Sequence, residues 1–529
     1  MPFAGELKAY QQAAVDQILD WGGSAVLAIA LGGGKTPTAI ALVEHLLDTE
    51  EVEAGLVVVP PNLRRQWVRA LERFAPGSNV LMIDGSPAER REQYQRAKEW
   101  AEYTVLGHSL LAKEDWNYIQ RLPRDFVVSD EVQFAKTFSA KRTKKLKQLG
   151  GGFRIGLTGR PIENFPQDIF SVMEWVNPDV LGDWDLFDRT FIVRDERNRP
   201  VRFRNLSTLH KRLESTAMVR VSRKDIEHEF PEKQEETFVV DFDPSGASLY
   251  RRIAKDLLAG LKDLSEKASI GTFDVEAYYR GEKETNKEHT RARGKIMSQL
   301  TCLRMLCDHP DLLRISADAY DQRRDPDFSG SVQSGSAYAA LLKEKGLLGR
   351  KYGTPKLDNA IEMVLEALES DPKSKVAVYS FFKPVLGFFS GPLEKYRPVL
   401  YTGDVSARKK QDAVDAYNHD ARTRVFLSSD AGGSGVDLPA GNYHLNFNQP
   451  FSAGQLEQRN ARLDRVASEH SRLMVMNLLM AGSVEEYYRD NILKRHKLAA
   501  ASVDGKRVKG GSVEANAGGL ARFLEQSVV

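Results

Sequence analysis

A run of three glycines closed by lysine and threonine, Ala30-Leu-Gly-Gly-Gly-Lys-Thr36, is the first place where this chain could do chemistry. A turn built from Gly32, Gly33 and Gly34 lets backbone N–H groups approach phosphate oxygens. Lys35 then supplies a cation for the β and γ oxygens, and the Thr36 hydroxyl can join a Mg²⁺ shell. Ile29 stands where the common phosphate loop has its first glycine, so taken alone the run also reads as an ordinary strand-to-helix turn. The second place is Phe126-Val-Val-Ser-Asp-Glu-Val-Gln133, an apolar run ending in two carboxylates. A buried strand there would hold Asp130 near the metal and Glu131 near an attacking water. Alone, the pair reads equally as a solvated loop. In this order, each at the end of a strand-like run, the two segments point to nucleotide hydrolysis.

The elements that must position these groups are legible as an alternation. Short β-rich runs at Ala25–Ala30, Gly55–Pro60, Val80–Ile83, Tyr103–Leu106, Phe126–Ser129 and Arg154–Leu157 alternate with helical patterns over residues 1–225. That pattern predicts an α/β unit with a parallel sheet and ligands at the carboxyl ends of its strands. Residues 226–355 read as helices and charged stretches without β-rich runs, with a mobile loop expected over Asp321–Ser336. The alternation returns over 356–500, at Lys375–Phe381, Pro398–Thr402, Thr423–Ser428, Tyr443–Asn446 and Arg472–Leu478, and predicts a second α/β unit. Residues 501–529 read as a flexible tail with one short helix.

Composition sets outer limits. With 75 Lys+Arg against 73 Asp+Glu, any nucleic-acid surface must be a local basic face. Cys302 and Cys307 are too few for a disulfide framework and read as reduced core residues. His108, His309 and His444 lack the spacing of a metal site. With no signal peptide expected and no apolar run approaching the ~20 residues of a membrane span, no membrane partner is expected and a cytoplasmic location is. Tyr278-Tyr279 and the stretch Arg291–Lys295 read either as a nucleic-acid contact or as a solvated helix face.

A series of further motifs resembles the superfamily 2 helicase-type ATPases, and within them the Snf2-like double-stranded DNA translocases. Leu7-Lys-Ala-Tyr-Gln11 resembles the family's opening motif, and Val57-Val-Val-Pro-Pro-Asn-Leu63 with Gln66-Trp67 resembles its strand-tracking motif. Ser129-Asp-Glu-Val-Gln-Phe-Ala-Lys136 is similar to the Asp-Glu box, and Gly156-Leu-Thr-Gly-Arg-Pro-Ile-Glu-Asn164 to the motif that couples hydrolysis to lobe movement. The helix over Gln299–Leu313, with Cys307-Asp-His-Pro310, resembles the segment that separates Snf2-like proteins from ordinary helicases. Lys375–Phe382, Tyr401-Thr-Gly-Asp404 with Arg408, Ser428–Leu438 and Gln458–Arg465 follow in the family's order.

The resemblance implies two RecA-like lobes with a Snf2-type helical insertion, ATP and Mg²⁺ as cofactors, and double-stranded DNA as partner. Single-stranded DNA or a DNA-bound protein are further partners, and a monomer of bacterial or viral origin is expected. It assigns adenine contact to Gln11, nucleotide contacts in the second lobe to Gly435 and Asp437, and the metal to Thr36 and Asp130. DNA contact or coupling falls to Pro60, Gln66, Thr158, Gly159, Ser380, Ser428 and Gln458. Arg462 and Arg465, three residues apart, would share one helix face and reach a γ-phosphate across the cleft. Four departures stand out: Val132-Gln133 in the Asp-Glu box, Arg160 in the coupling motif, Asp437 for an asparagine, and Val466-Ala467-Ser468 after the final arginine. None removes a catalytic group. The rivals are a strand-separating helicase and a non-catalytic scaffold. The second is disfavoured by the intact Lys35, Asp130, Glu131, Arg462 and Arg465.

Overall fold

Short runs of valine, leucine and isoleucine become the inner strands of two separate parallel sheets. A computed structural model describes all residues except 1–2, 62, 139, 160, 162–166, 195–199, 268–286, 325–334, 431–435, 451–452, 491–516 and 529. The first sheet contains β1 (Ala25–Ile29), β2 (Gly55–Val59), β3 (Val80–Met82), β4 (Tyr103–Gly107), β5 (Phe126–Ser129) and β6 (Phe153–Leu157). After a small antiparallel pair, β7 (Ile192–Arg194) and β8 (Pro200–Phe203), it gains β9 (Met218–Val221). Its spatial order is β3-β4-β2-β5-β6-β1-β9, and every neighbouring pair is parallel. Alternate residues face opposite layers: Leu27, Ile29, Val57, Val59 and Val128 enter one core, while Val26, Ala28, Leu56, Val58 and Val127 enter the other. Each fully covered Val, Leu or Ile contributes about 1.5–3 kcal/mol, so the strand ends are fixed platforms for whatever follows them.

The second sheet holds β10 (Glu232–Val240), β11 (Val376–Ser380), β12 (Val399–Tyr401), β13 (Val425–Ser429), β14 (Tyr443–Asn446) and β15 (Arg472–Met480), in the order β10-β15-β14-β11-β13-β12. Here the expectation of no strand between 226 and 355 fails. β10 pairs along its whole length with β15, from Glu232 against Arg472 to Val240 against Met480. As an edge strand it keeps its Glu and Lys side chains in solvent, and so it lacks the apolar signature of an inner strand.

Between the sheets the chain is helical. Pro244–Lys267, Lys287–Asp308, Asp311–Arg324 and Ala337–Glu344 bury Leu257, Leu300, Leu303 and Ala339 together. The helix Asp311–Arg324 includes the start of the segment expected as a loop, and residues 325–334 lie outside the described ones. Tyr278 and Tyr279 also lie outside them. The terminal helix Ala517–Val528 is docked rather than loose, with Leu520 and Leu524 fully buried in the helical core. Cys302 and Cys307 are free and buried, as expected. Among the described residues no group of acidic, His and Cys side chains could hold a metal in a cage, and no helix is long and apolar enough to cross a membrane.

Candidate active site

The phosphate-loop candidate lies at the carboxyl end of β1. Gly32 and Gly34 adopt φ of +79° and +82°, a region that costs glycine nothing and other residues strain. Space excludes side chains as well as conformation does. A Cβ on Gly33 would stand 2.7 Å from the Ile29 side chain, and one on Gly34 would stand 2.3 Å from Gln11 Nε2. The helix Lys35–Asp48 begins immediately after, with Gly34 as its N-cap, so unpaired N–H groups and the helix dipole converge where an anion would sit. Thr38 Oγ1 donates to the Gly34 carbonyl at 2.9 Å and pins the loop to that first turn.

Two residues of the opening motif brace the loop from outside. Gln11 is buried; its Nε2 donates to the carbonyls of Gly33 and Gly34 at 3.4 and 3.3 Å, and its Oε1 accepts from the Lys8 N–H. The Tyr10 hydroxyl donates to the Gly33 carbonyl at 2.9 Å. Burial, with Glu229 nearby, pushes the Tyr10 phenol up to about 12, so it stays a donor at neutral pH.

Asp130 and Glu131 leave the end of β5, with β6 as the one strand between them and β1. Asp130 is buried and both its oxygens are held: Oδ2 accepts from the Trp67 indole at 2.9 Å and Oδ1 from the Glu131 N–H at 2.8 Å. Burial raises its pKa, opposed by the Trp67 hydrogen bond and the Lys35 charge. Lys35 is shifted the other way. Burial lowers its pKa, while Glu131 and Asp130 pull it back up. Opposed shifts of this kind are those of a cation and carboxylates close enough to act on one another. Glu131 sits at φ +50°, ψ +46°, a left-handed conformation unusual for glutamate and of the kind held in place at functional sites. Gln133 donates from Nε2 to the Glu131 carboxylate.

The second lobe meets the first at this point. Val466 N–H donates to the Gly32 carbonyl at 3.2 Å, and a Cβ on Gly32 would fall 2.4 Å from the Asp464 carbonyl oxygen. Arg223, from the first lobe, pairs with Asp464 at 2.7 Å. Arg465 pairs with Asp437, and Gln66 Nε2 donates to the other oxygen of Asp437 at 3.1 Å. Lys35 feels both Arg465 and Asp437. Lys35, Asp130, Glu131, Asp437 and Arg465 are therefore one electrostatic cluster assembled from both lobes.

Arg462 is elsewhere. The helix Ala453–Asn460 stops two residues before it, so the shared helix face expected for Arg462 and Arg465 does not exist. Arg462 is buried inside the second lobe with its guanidinium 5.1 Å from the Tyr379 ring centre. Arg459, in the last turn of that helix, is buried in a two-pronged pair with Asp430 at 2.6 and 2.7 Å and anchors the segment to the end of β13. Gly435 lies outside the described residues.

The residues expected to contact DNA or couple the lobes divide by depth. Thr158 is buried beyond β6, and a Cβ on Gly159 would stand 2.4 Å from the Leu31 side chain, which places this segment against the glycine loop. Pro60 is buried after β2, and Gln66 and Gln458 are half-buried. Ser380 and Ser428 are fully buried: Ser380 Oγ accepts from Phe382 N–H and Asn448, and Ser428 Oγ donates to the Ser429 carbonyl. Neither hydroxyl reaches a surface. An open cleft of about 410 Å³ between the lobes is lined by Arg64, Arg65, Arg69, Lys410 and His419 together with the carboxylates of Asp84, Asp415 and Asp437.

With this geometry in view, the comparisons are decisive for family. The model of the SNF2-related domain matches residues 10–312, more than half the chain, and that of the helicase conserved C-terminal domain matches 358–467. The chain belongs to the SNF2-related family. The SWI/SNF-related matrix-associated actin-dependent regulator of chromatin subfamily A containing DEAD/H box 1 of Xenopus tropicalis is 27% identical over 493 residues, 87% of this chain and 47% of its own length. The ATP-dependent helicase FUN30 of Saccharomyces cerevisiae is 24% identical over 523 residues, 90% of this chain and 45% of its own. The chain thus spans about half the length of the curated relatives it matches. In fold it resembles the Pyrococcus furiosus Hef helicase domain, at 17% identity and a TM-score of 0.53 over 91% of this chain and 97% of that one. For this SNF2-related chain, Tyr10, Trp67 and Gln133 are the site residues that sequence reasoning missed. Each is adjacent to or within a motif already recognised, but their contacts exist only once the chain is folded.

Proposed function

We propose that this chain is an ATP-driven translocase on double-stranded DNA. The observation that carries the reading is the single cluster built from both lobes: Lys35, Asp130 and Glu131 from the first, Asp437 and Arg465 from the second. The glycine cradle, which any Cβ would fill, suits phosphates, and the hydroxyl of Thr36 with the carboxylate of Asp130 suits Mg²⁺. When bound there, Mg²⁺ would neutralise charge on the β and γ oxygens. The loop N–H groups and Lys35 would bind and orient the phosphates. Glu131, fixed by its backbone and by Gln133, would position the attacking water and accept its proton. Arg465 would complete the site from the second lobe, so turnover would depend on how the lobes meet.

Coupling follows from the other side of the same interface. Lys410 and Arg65, with Arg64 and Arg69 exchanging Asp84 and Asp415 for phosphates, would form a backbone-tracking surface for duplex DNA, and the helix carrying Gln66 borders both this surface and the nucleotide site. Two states of the cleft with different DNA affinity would convert hydrolysis into movement.

ATP turnover measured with no polymer, single-stranded DNA, duplex DNA and RNA tests the proposal. Duplex DNA should stimulate most, and its affinity should fall as salt rises. Greater stimulation by single-stranded RNA would sink it. A duplex tracker should displace a third strand while leaving a fork paired; efficient fork opening would favour the strand-separating reading.

A further inference from the structure

The Trp67 indole is more than packing. The helix Arg64–Phe74 buries Trp67 and Leu71 against the first sheet and turns arginines outward. From that outer face Arg69 reaches Asp415 of the second lobe at 3.1 Å, and Arg64 pairs with Asp84 at 2.9 Å. Gln66 holds Asp437 at 3.1 Å, and the next residue, Trp67, donates to Asp130 Oδ2 at 2.9 Å. Trp67 is 2% exposed and Asp130 6% exposed, so water does not compete for this bond. A buried indole N–H needs an acceptor, and one that finds a carboxylate makes a charge-assisted bond roughly twice as strong as a neutral one. With Glu131 N–H on the other oxygen, the Asp130 carboxylate has one orientation, set partly by a helix that also borders the arginine-lined cleft.

We propose that Trp67 is a positioning residue for Asp130, and that the helix Arg64–Phe74 transmits engagement of a polyanion in the cleft to the metal-side carboxylate through this one hydrogen bond. The inference rests on the functional reading above. It adds a specific route: phosphates that draw on Arg64, Arg65 or Arg69 shift the helix, and the indole carries the shift to Asp130. Gln66 carries it in parallel to Asp437. A two-residue segment would thereby address both lobes' contributions to the site at once.

Trp67→Phe keeps an aromatic ring in place and removes only the donor. Duplex-stimulated kcat should fall roughly tenfold, as expected for loss of a hydrogen bond to a charged group. In binding titrations with a fluorescent ATP analogue, the Mg²⁺ concentration for half-maximal binding should rise several-fold, roughly in line with the same loss. Duplex affinity without nucleotide should not change. A merely structural tryptophan would lower the melting temperature and leave both the magnesium dependence and kcat at parent values, and that result would overturn the proposal. A second measurement does not depend on the variant folding. In ¹⁵N-tryptophan-labelled parent protein, the Trp67 indole resonance should move on adding duplex DNA alone, and should move upfield in Asp130→Ala. An indole unmoved by both would refute the link. If the parent showed no duplex stimulation of turnover while the indole still reported Asp130, the translocase reading would fail and the Trp67–Asp130 positioning would stand.

Discussion

At the scale of single residues, the two lobes' contributions are chemically distinct and separable. Arg465 stands in the shared cluster and Arg462 is buried under Tyr379, so their alanine variants should differ in kind. Arg465→Ala should slow ATP hydrolysis by ~10³-fold with little change in nucleotide affinity, the signature of lost transition-state charge stabilisation. Arg462→Ala should instead lower the thermal midpoint, because it empties a buried site beside a ring. Equal kinetic losses with unchanged stability would show that both arginines reach the nucleotide. Glu131→Gln retains the bond-making shape but not the base. ATP should bind at parent affinity while hydrolysis falls at least ~10²-fold in single-turnover assays, and turnover at the parent rate would remove Glu131 from the mechanism. His444 offers a different readout. Buried against Tyr379 at 4.5 Å, it is pulled down to about 3 chiefly by burial, against an ordinary histidine value of 6.5. The unfolded chain therefore binds a proton there that the folded chain refuses. Stability from this group is complete above pH 6.5 and is lost progressively as pH falls toward 3. Urea midpoints across that window should fall less steeply in His444→Phe than in the parent.

At the scale of elements, the glycine loop is confined from both sides, and Gly32 is the glycine that meets the backbone of the second lobe. Its positive φ and the Asp464 carbonyl at 2.4 Å from a would-be Cβ act together. Gly32→Ala should push the second lobe off the loop: kcat falls while the isolated first-lobe contacts persist, and the distance between probes on the two lobes in ATP rises. Unchanged probe distance and kcat would show that the contact is not needed for turnover. The same scale explains what could be read without a structure. β1, β2, β5, β6, β11, β13 and β14 are inner strands covered on both faces, so each is a compact apolar run and announces itself. β10 is half exposed and charged, and its identity comes from pairing with β15, more than two hundred residues away along the register from Glu232 with Arg472. The three-residue spacing of Arg462 and Arg465 predicts one helix face for both, but the helix carrying Gln458 ends at Asn460 and Arg462 is buried, because tertiary packing sets that terminus. Trp67 is legible as part of a motif; its bond to Asp130 joins a helix after β2 to the end of β5 and has no local signal.

At the scale of the whole molecule, a buried ionic group joins the helical segment to the second lobe. Asp308 ends the helix Lys287–Asp308, Lys356 opens the helix Pro355–Ser370 of the second lobe, and Glu485 follows β15. Lys356 Nζ lies 3.0 Å from Asp308 and 2.6 Å from Glu485, with all three side chains almost fully buried. Asn448 donates to Asp308 as well, and Glu485 accepts the Met480 N–H at 2.9 Å, so the carboxylates have partners beyond the ammonium. Burial works against the charge on Lys356, but Asp308 and Glu485 outweigh it and leave its pKa above the ordinary lysine value. Hydrophobic packing alone could glue the insertion to the lobe; a charged triad also fixes one geometry, because each partner is strongly penalised if left alone. Lys356→Met keeps the length of the side chain and abandons two buried carboxylates, at a cost of about 3–5 kcal/mol in unfolding free energy. Changing all three, Lys356→Met with Asp308→Asn and Glu485→Gln, removes the stranded charges and should recover most of that loss in urea denaturation. Under the translocase reading, the triple variant should nevertheless couple poorly: stable, able to hydrolyse ATP, but with less triplex displacement per ATP consumed than the parent. Parent-like displacement in a stable triple variant would show that the triad serves folding alone.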